Sequence, residues 1–241
     1  MSSPNGFQNV VNNQPGVAGA GDFADAGLRA NVITGPGALL AADIPNRPIV
    51  GNFAWANQLT NIAAANFHGL LAEKIGFVSH RANIANISKF LAASQLEIEA
   101  GLQVTLFDKG AFWALFPDGA AVNQKVFARV QDGSVYADDA GADTETASFT
   151  GVIAVTTGIL TASAVTGTIS AGDIISGTGV PSGTVVVAQL SGTPGGAGTY
   201  STNITTAVAS TAMTTDGSVE TQFIVTSPAD AGELAKISTW G

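Results

Sequence analysis

His80, next to Arg81, is the best general base in this 241-residue sequence. A hydrolytic base needs a nucleophile to activate, and the sequence has neither a cysteine nor the GxSxG motif of a serine nucleophile. We therefore interpret His80 as a packed or interface histidine, and we expect the chain to have no catalytic residue.

A second candidate is the pair of carboxylates at Glu97 and Glu99, which share one face of a predicted strand and could act as a glycosidase pair. A sugar cleft should also bring aromatic side chains, which this strand does not show beside the carboxylates. We interpret the pair as the solvated side of a strand.

A third group, Asp138, Asp139, Asp143 and Glu145, could gather around calcium, which prefers hard oxygen ligands. Its spacing does not match an EF-hand loop, so an acidic linker is the better interpretation. With no cysteine and two histidines, disulfides and most zinc sites are excluded. The glycine-rich runs lack phosphate-binding motifs and predict turns. We expect no metal and no cofactor.

The charge distribution indicates which partners to expect. The net charge is −9, and residues 130–235 contain ten acids and no lysine or arginine. Affinity for nucleic acid depends on cations that neutralise phosphates, so we expect no nucleic-acid binding. No apolar run is long enough to span a membrane, and the first residues show no secretory signal. The sequence predicts a soluble protein made in the cytoplasm.

Alternating apolar and polar residues predict β-strands in the first half of the chain. The alternation runs through Leu96–Phe107 and Val126–Val130, and Phe112–Phe116 is an apolar run closed by the turn sequence Pro117-Asp-Gly. If that run is a strand, either Phe112 or Trp113 must point outward. The apolar spacing between residues 56 and 93 fits helices as well as strands, and we interpret it as short helices or loops.

Composition divides the chain into three parts. Residues 1–36 are rich in Gly, Pro and Asn and predict an extended N-terminal arm. Residues 148–216 are rich in Gly, Thr and Val and predict a small all-β module. Residues 37–147 and 217–241 share charge and aromatic content, so the module is expected to be an insertion into one parent domain.

Several segments, in order along the chain, resemble the structural cement proteins of tailed bacteriophages. They are Val11-Asn-Asn-Gln-Pro-Gly-Val-Ala-Gly-Ala-Gly-Asp-Phe23, Gly76-Phe-Val-Ser-His-Arg81, Gly101-Leu-Gln-Val-Thr-Leu-Phe107, Gly110-Ala-Phe-Trp113 and Gly232-Glu-Leu-Ala-Lys-Ile-Ser-Thr-Trp240. The Gly/Thr-rich module is similar to small β inserts found in many phage proteins.

The resemblance implies a jelly-roll-like β-sandwich on the outer surface of the virion capsid, between capsomers of the major capsid protein. It also implies a homo-oligomer, for which we favour a dimer over a trimer. We expect the capsid and subunit contacts to include Asn12, Gln14, Pro15, Phe23, Arg29, His80, Arg81 and Trp113.

Two functions of different classes follow. The first is a decoration protein that stabilises the phage head by bridging capsomers. The alternative is a glycan-binding or adhesive module on the head or tail, carried by residues 148–216. That module contains few of the aromatic and carboxylate groups that sugar sites use, so decoration is the better interpretation.

Overall fold

The computed structural model describes residues 18–33, 35–69, 73–79 and 97–240. Within these ranges the regular structure is entirely β, which confirms the predicted all-β class. The strands are β1 Ala30–Asn31, β2 Leu40–Ala41, β3 Phe53–Asn57, β4 Ile62–Ala64, β5 Glu73–Val78, β6 Leu106–Lys109, β7 Ala111–Phe116, β8 Lys125–Arg129, β9 Val135–Asp138, β10 Glu145–Ile153, β11 Ile159–Gly167, β12 Ile174–Gly177, β13 Val186–Gly192, β14 Gly198–Thr202, β15 Val208–Asp216, β16 Ser218–Val225 and β17 Glu233–Ser238.

The strands form three sheets. The first sheet has the order β1-β6-β5-β3-β4-β2, and the second has the order β7-β17-β16-β8-β9. The third sheet, β12-β15-β10-β11-β14-β13, contains only strands from residues 145–216. Nearly all pairings are antiparallel, the short β2–β4 pair being parallel.

The first and second sheets pack face to face as a β-sandwich around an aromatic core. Phe53 and Phe77 come from the first sheet, and Phe112 and Phe223 come from the second. The ring centroids of Phe77 and Phe112 lie 4.9 Å apart, and those of Phe53 and Phe223 lie 5.6 Å apart. Aromatic contacts of this kind across two sheets hold the sandwich together.

Strand β3 explains how the first sheet can be buried on both faces. Its large residues, Phe53 and Trp55, point into the aromatic core, while Ala54 and Ala56 point to the opposite face. Side chains alternate between the faces of a strand, so this alternation of large and small residues sets the thickness of each layer. The alanine face is covered by a second core that includes Leu39, Ile98, Val104 and Leu106.

The third sheet encloses a core of its own. Its central residues come from most of its strands and include Phe149, Leu160, Tyr200 and Met213. A single sheet can surround its own side chains only if it curls. Tyr200 is buried in this core, and its hydroxyl group donates a hydrogen bond to the carbonyl oxygen of Gly196 at 2.5 Å.

Some local predictions are confirmed and others are wrong. Strand β7 and the turn after it are confirmed. The helical interpretation fails at β4, because Ile62–Ala64 pairs with β3 and β2. In the described residues 97–107 the predicted alternation is only partly present: Ile98, Val104 and Leu106 are buried, but Leu102 is exposed, and regular strand begins only at Leu106. Predictions for residues 70–72 and 80–93 lie outside the described residues.

The third sheet begins and ends at almost the same place in the parent structure. Glu145 pairs with Asp216 at the first residue of β10 and the last of β15. Just outside this pair, the backbone N–H of Gly217 donates to the carbonyl oxygen of Thr144 at 3.1 Å. This geometry suits an insertion, and the division of the chain into arm, parent domain and module stays a prediction.

Candidate interaction surface

Residues 18–33, which we call the strap, lie along the free edge of β7. The N–H of Gly21 donates to the carbonyl of Trp113 at 2.7 Å, and the N–H of Trp113 donates to the carbonyl of Asp22 at 2.9 Å. The N–H of Ala24 donates to the carbonyl of Ala111 at 3.0 Å. These bonds satisfy backbone groups that an edge strand would otherwise expose.

The far end of the strap joins the other sheet of the sandwich. Its Ala30–Asn31 segment is β1, which pairs with β6, and the N–H of Val32 donates to the carbonyl of Leu106 at 2.9 Å. The strap therefore connects the edges of both sheets and closes one side of the sandwich.

Phe23 anchors the strap in the aromatic core. Its ring lies 5.6 Å from the rings of both Phe107 and Phe112, and 40% of the residue stays exposed. The guanidinium carbon of Arg29 sits 4.0 Å from the centre of the Phe23 ring, which is a cation–π distance. The exposed part of the Phe23 ring and the Arg29 guanidinium therefore lie side by side at the protein surface.

The outward face of β7 and β17 lies beside the strap. Phe112 is fully buried, so Trp113 is the member of that pair that points outward, together with Leu115. Trp113 pairs with Lys236 in the β7–β17 register, which places both side chains on this face. The Lys236 ammonium lies 3.3 Å from a carboxylate oxygen of Asp25 in the strap.

A shallow cavity of about 380 Å³ opens between the strap and the end of β17. Trp240 covers one side of it and donates from Nε1 to the carbonyl of Leu28 at 3.2 Å. On another side, the N–H of Gly27 donates to Asp25 and lowers the pKa of that carboxyl, with Lys236 acting in the same direction.

These groups lie on the strap and on the neighbouring outward face of β7 and β17, and we call them together the strap surface. It consists of Phe23, Leu28, Arg29, Trp113, Leu115, Lys236 and Trp240. Of the contacts predicted from sequence, Phe23 and Arg29 meet on the strap, and Trp113 lies on the adjoining outward face of β7. Asn12, Gln14, Pro15, His80 and Arg81 lie outside the described residues.

Sequence reasoning missed four members of this surface, which are Leu28, Leu115, Lys236 and Trp240. The sequence contained one weak signal for these residues. Lys236 is the sole lysine or arginine after residue 129, and Trp240 stands close to it in sequence. Their proximity to the strap depends on the β7–β17 register, which no local pattern specifies.

Two of the carboxylates that could have formed a glycosidase pair or a calcium site are paired with other groups. Glu99 pairs with Arg47 at 2.9 Å, and Asp143 accepts from the N–H of Glu145 at 2.9 Å. Within the described ranges, no three His, Asp or Glu side chains gather as metal ligands. Those ranges also contain no helix long and apolar enough to cross a membrane.

Two further polar groups lie where the third sheet meets the sandwich. Buried Asp173 accepts from Gln131 at 2.7 Å, from the N–H of Ser170 at 2.8 Å and from Thr146 at 3.0 Å. Burial raises the pKa of Asp173, although these hydrogen bonds act in the opposite direction. Nearby, His68 Nδ1 lies 3.2 Å from a carboxylate oxygen of Glu73.

The comparisons with curated proteins and with solved structures gave no match. The family model of the XM1 gp53 minor capsid protein matches residues 7–239, which is nearly the whole chain. The match covers the strap, all three sheets and Trp113 alike. The sequence prediction of a phage capsid protein is thereby confirmed, and the chain belongs to the XM1 gp53 minor capsid protein family.

Proposed function

We propose that this capsid protein decorates the outside of the phage head and stabilises it by bridging capsomers of the major capsid protein. It acts by binding alone, with no catalytic step. Membership of a minor capsid protein family supports a structural role in the virion. The strap surface supports the choice of docking side.

The observation that carries this proposal is the composition of the strap surface. Phe23, Leu115 and Trp240 are each 40–51% exposed, and Arg29 and Lys236 stand among them. Aromatic residues and arginine are enriched at protein interfaces, where half-exposed anchors become buried on binding.

The charge distribution favours an orientation in which the Gly/Thr-rich module points away from the shell. Residues 145–216 contain no lysine or arginine, whereas the strap surface has two cations. The acids in and around the module would keep neighbouring particles apart if it faces outward. The strap surface would then face the shell.

Many weak contacts of this kind can hold a shell together. A dimer with two docking surfaces that span a capsomer boundary makes its second contact at high effective concentration. The residues before the strap add reach, because 17 extended residues span up to about 60 Å. The arm, the dimer and the bridging contact are parts of the same proposal.

A matched pair of leucines tests the docking side. Leu115 on the strap surface is 45% exposed, and Leu190 on β13 of the module is 55% exposed. Each Leu→Ala change should cost the isolated protein about 1 kcal/mol of folding stability or less. We expect L115A to reduce occupancy on purified heads, measured by cryo-electron microscopy, and L190A to leave it unchanged. Equal occupancy for both variants would contradict docking through the strap surface.

Truncation tests the arm. Removing residues 1–17 leaves every described strap contact in place, so the melting temperature should change little. Occupancy on heads should fall, and heads should lose DNA at a lower temperature. Full occupancy of the truncated protein would show that these residues do not bridge capsomers.

A further inference from the structure

A second cavity, of about 480 Å³, lies at the junction between the sandwich and the third sheet. The loop after β4, the turn after β8 and the start of β13 form its walls. This volume is typical of small-molecule sites, which range from roughly 300 to 1,000 Å³. The cavity is separate from the strap surface and shares no lining residue with it.

The lining of this junction cavity combines neutral hydrogen-bonding groups with an apolar wall. The polar groups are the amides of Asn46, Asn66, Gln131 and Asn203 and the imidazole of His68. Pro45, Phe67 and Val185–Val187 supply the apolar part. The lining contains no lysine, arginine, aspartate or glutamate, so a charged ligand would find no counter-charge there.

Some of these polar groups are already used to build the site. The Nδ2 group of Asn203 donates to the carbonyls of Gly183 at 2.9 Å and His68 at 3.2 Å, and its Oδ1 accepts from the N–H of Val185 at 2.8 Å. Asn203 therefore fixes the wall that the module shares with the sandwich. Gln131 is held in the same way by its bond to Asp173 at 2.7 Å.

Other groups keep hydrogen-bonding capacity. In the described part of the chain, the side chains of Asn46 and Asn66 form no hydrogen bond. The Oδ1 atom of Asn66 is enclosed by protein atoms and unpaired, which costs about 1–3 kcal/mol, and a ligand reaches it only if the amide turns toward the cavity. An apolar residue at position 66 would therefore stabilise the folded state more than Asn66 does. With Nδ1 directed to Glu73, the Nε2 atom of His68 is the ring nitrogen left for a ligand.

From this lining we infer that the junction cavity binds a neutral saccharide. A sugar offers hydroxyl groups for uncharged amides and an apolar C–H face for Phe67, Pro45 and the valines. A purely apolar ligand would leave the amides of Asn46 and Asn66 unpaired, and an acidic glycan would meet a chain of net charge −9. Because the site combines sandwich amides with module residues, this inference assigns sugar binding to the junction and not to residues 148–216 alone, which were the alternative considered from the sequence.

Saturation-transfer NMR on the full chain tests this inference. The probes are maltose, cellobiose, lactose and chitobiose, with N-acetylneuraminic acid as the acidic comparator. We expect transfer to at least one neutral sugar and none to the acid. Asn66→Leu removes the amide and the unpaired acceptor, so it should weaken sugar binding about five- to tenfold without lowering the melting temperature.

Two more variants complete the test. Val187→Trp fills the mouth of the cavity at a residue that is 55% exposed, and it should abolish the signal. Gln103→Ala removes an exposed amide that does not line the cavity and should bind like the wild type. The inference is overturned if no neutral sugar gives transfer, if the acid binds equally, or if N66L and Q103A behave alike. Head occupancy is measured separately, so this result is independent of the decoration proposal.

Discussion

Asp173 is a carboxyl group whose charge opposes its burial. Three donors stabilise its ionised form, yet burial dominates and its pKa is raised, with the Asp216 carboxylate adding to the effect. The folded state therefore binds a proton more tightly than the unfolded chain does. As the pH rises from the ordinary pKa of 3.8 through the raised pKa of the folded state, the contribution of Asp173 to the free energy of unfolding falls.

Asp173→Asn should therefore stabilise the protein, and more so at pH 7 than at pH 4. The Oδ1 atom of an asparagine at position 173 can accept from the N–H of Ser170 and the hydroxyl of Thr146. Its Nδ2 group can donate to the side-chain oxygen of Gln131 once the Gln131 amide rotates. Thermal unfolding of both proteins at the two pH values measures the effect. Asp173→Leu is the control for lost hydrogen bonds, and it should destabilise at both pH values by about 1–3 kcal/mol per unpaired donor. Equal destabilisation of D173N at both values would contradict a dominant burial cost.

At the scale of elements, the loop between β4 and β5 joins the third sheet to the sandwich. Gly69 in this loop has a φ of +77°, and a Cβ atom there would overlap the carbonyl oxygen of Gly183. Asn203 bonds to the same two loops from the module side. The contact is close because neither glycine has a side chain.

Gly69→Ala should therefore loosen the junction. Gly101 has the same φ of +77°, and a Cβ atom there would meet nothing within 4 Å, so Gly101→Ala is a matched control. The control carries only the left-handed backbone cost of about 1–2 kcal/mol. We expect a larger loss of stability for G69A, with faster proteolysis near β13. Equal losses for the two variants would show that the junction does not depend on this contact.

At the scale of the whole molecule, the parent sandwich should fold without the third sheet. Excising residues 145–216 joins Thr144 to Gly217, which are already linked by a backbone hydrogen bond. The aromatic core contains no residue from the excised strands except Ile174 at its margin. A short glycine linker should close the gap without strain.

The excised protein should give a cooperative thermal transition and a β-sheet circular dichroism spectrum, at a lower melting temperature than the full chain. It should keep its occupancy on heads, because the strap surface is intact. It should lose saccharide binding, because Val185–Val187 and Asn203 are gone. A molten product without a transition would contradict an inserted module.

Several features followed from the sequence alone because they rest on local rules. Alternation of apolar residues marks a strand wherever one face is buried, and it located β8, while the apolar run closed by a turn sequence located β7. Composition set the all-β class, and ordered segments pointed to a phage capsid protein. Residues 62–64 were misread, since three apolar residues are too few to show a period.

The tertiary structure decided which distant residues meet. The strap surface joins residues near positions 23, 113 and 236, and the junction cavity joins residues near 66, 131 and 203. These meetings depend on strand order and register, which arise from burial summed over whole sheets rather than from any local pattern. The sequence therefore determined the class and some of the strands of this protein, and packing between sheets determined the remaining strands and the candidate sites.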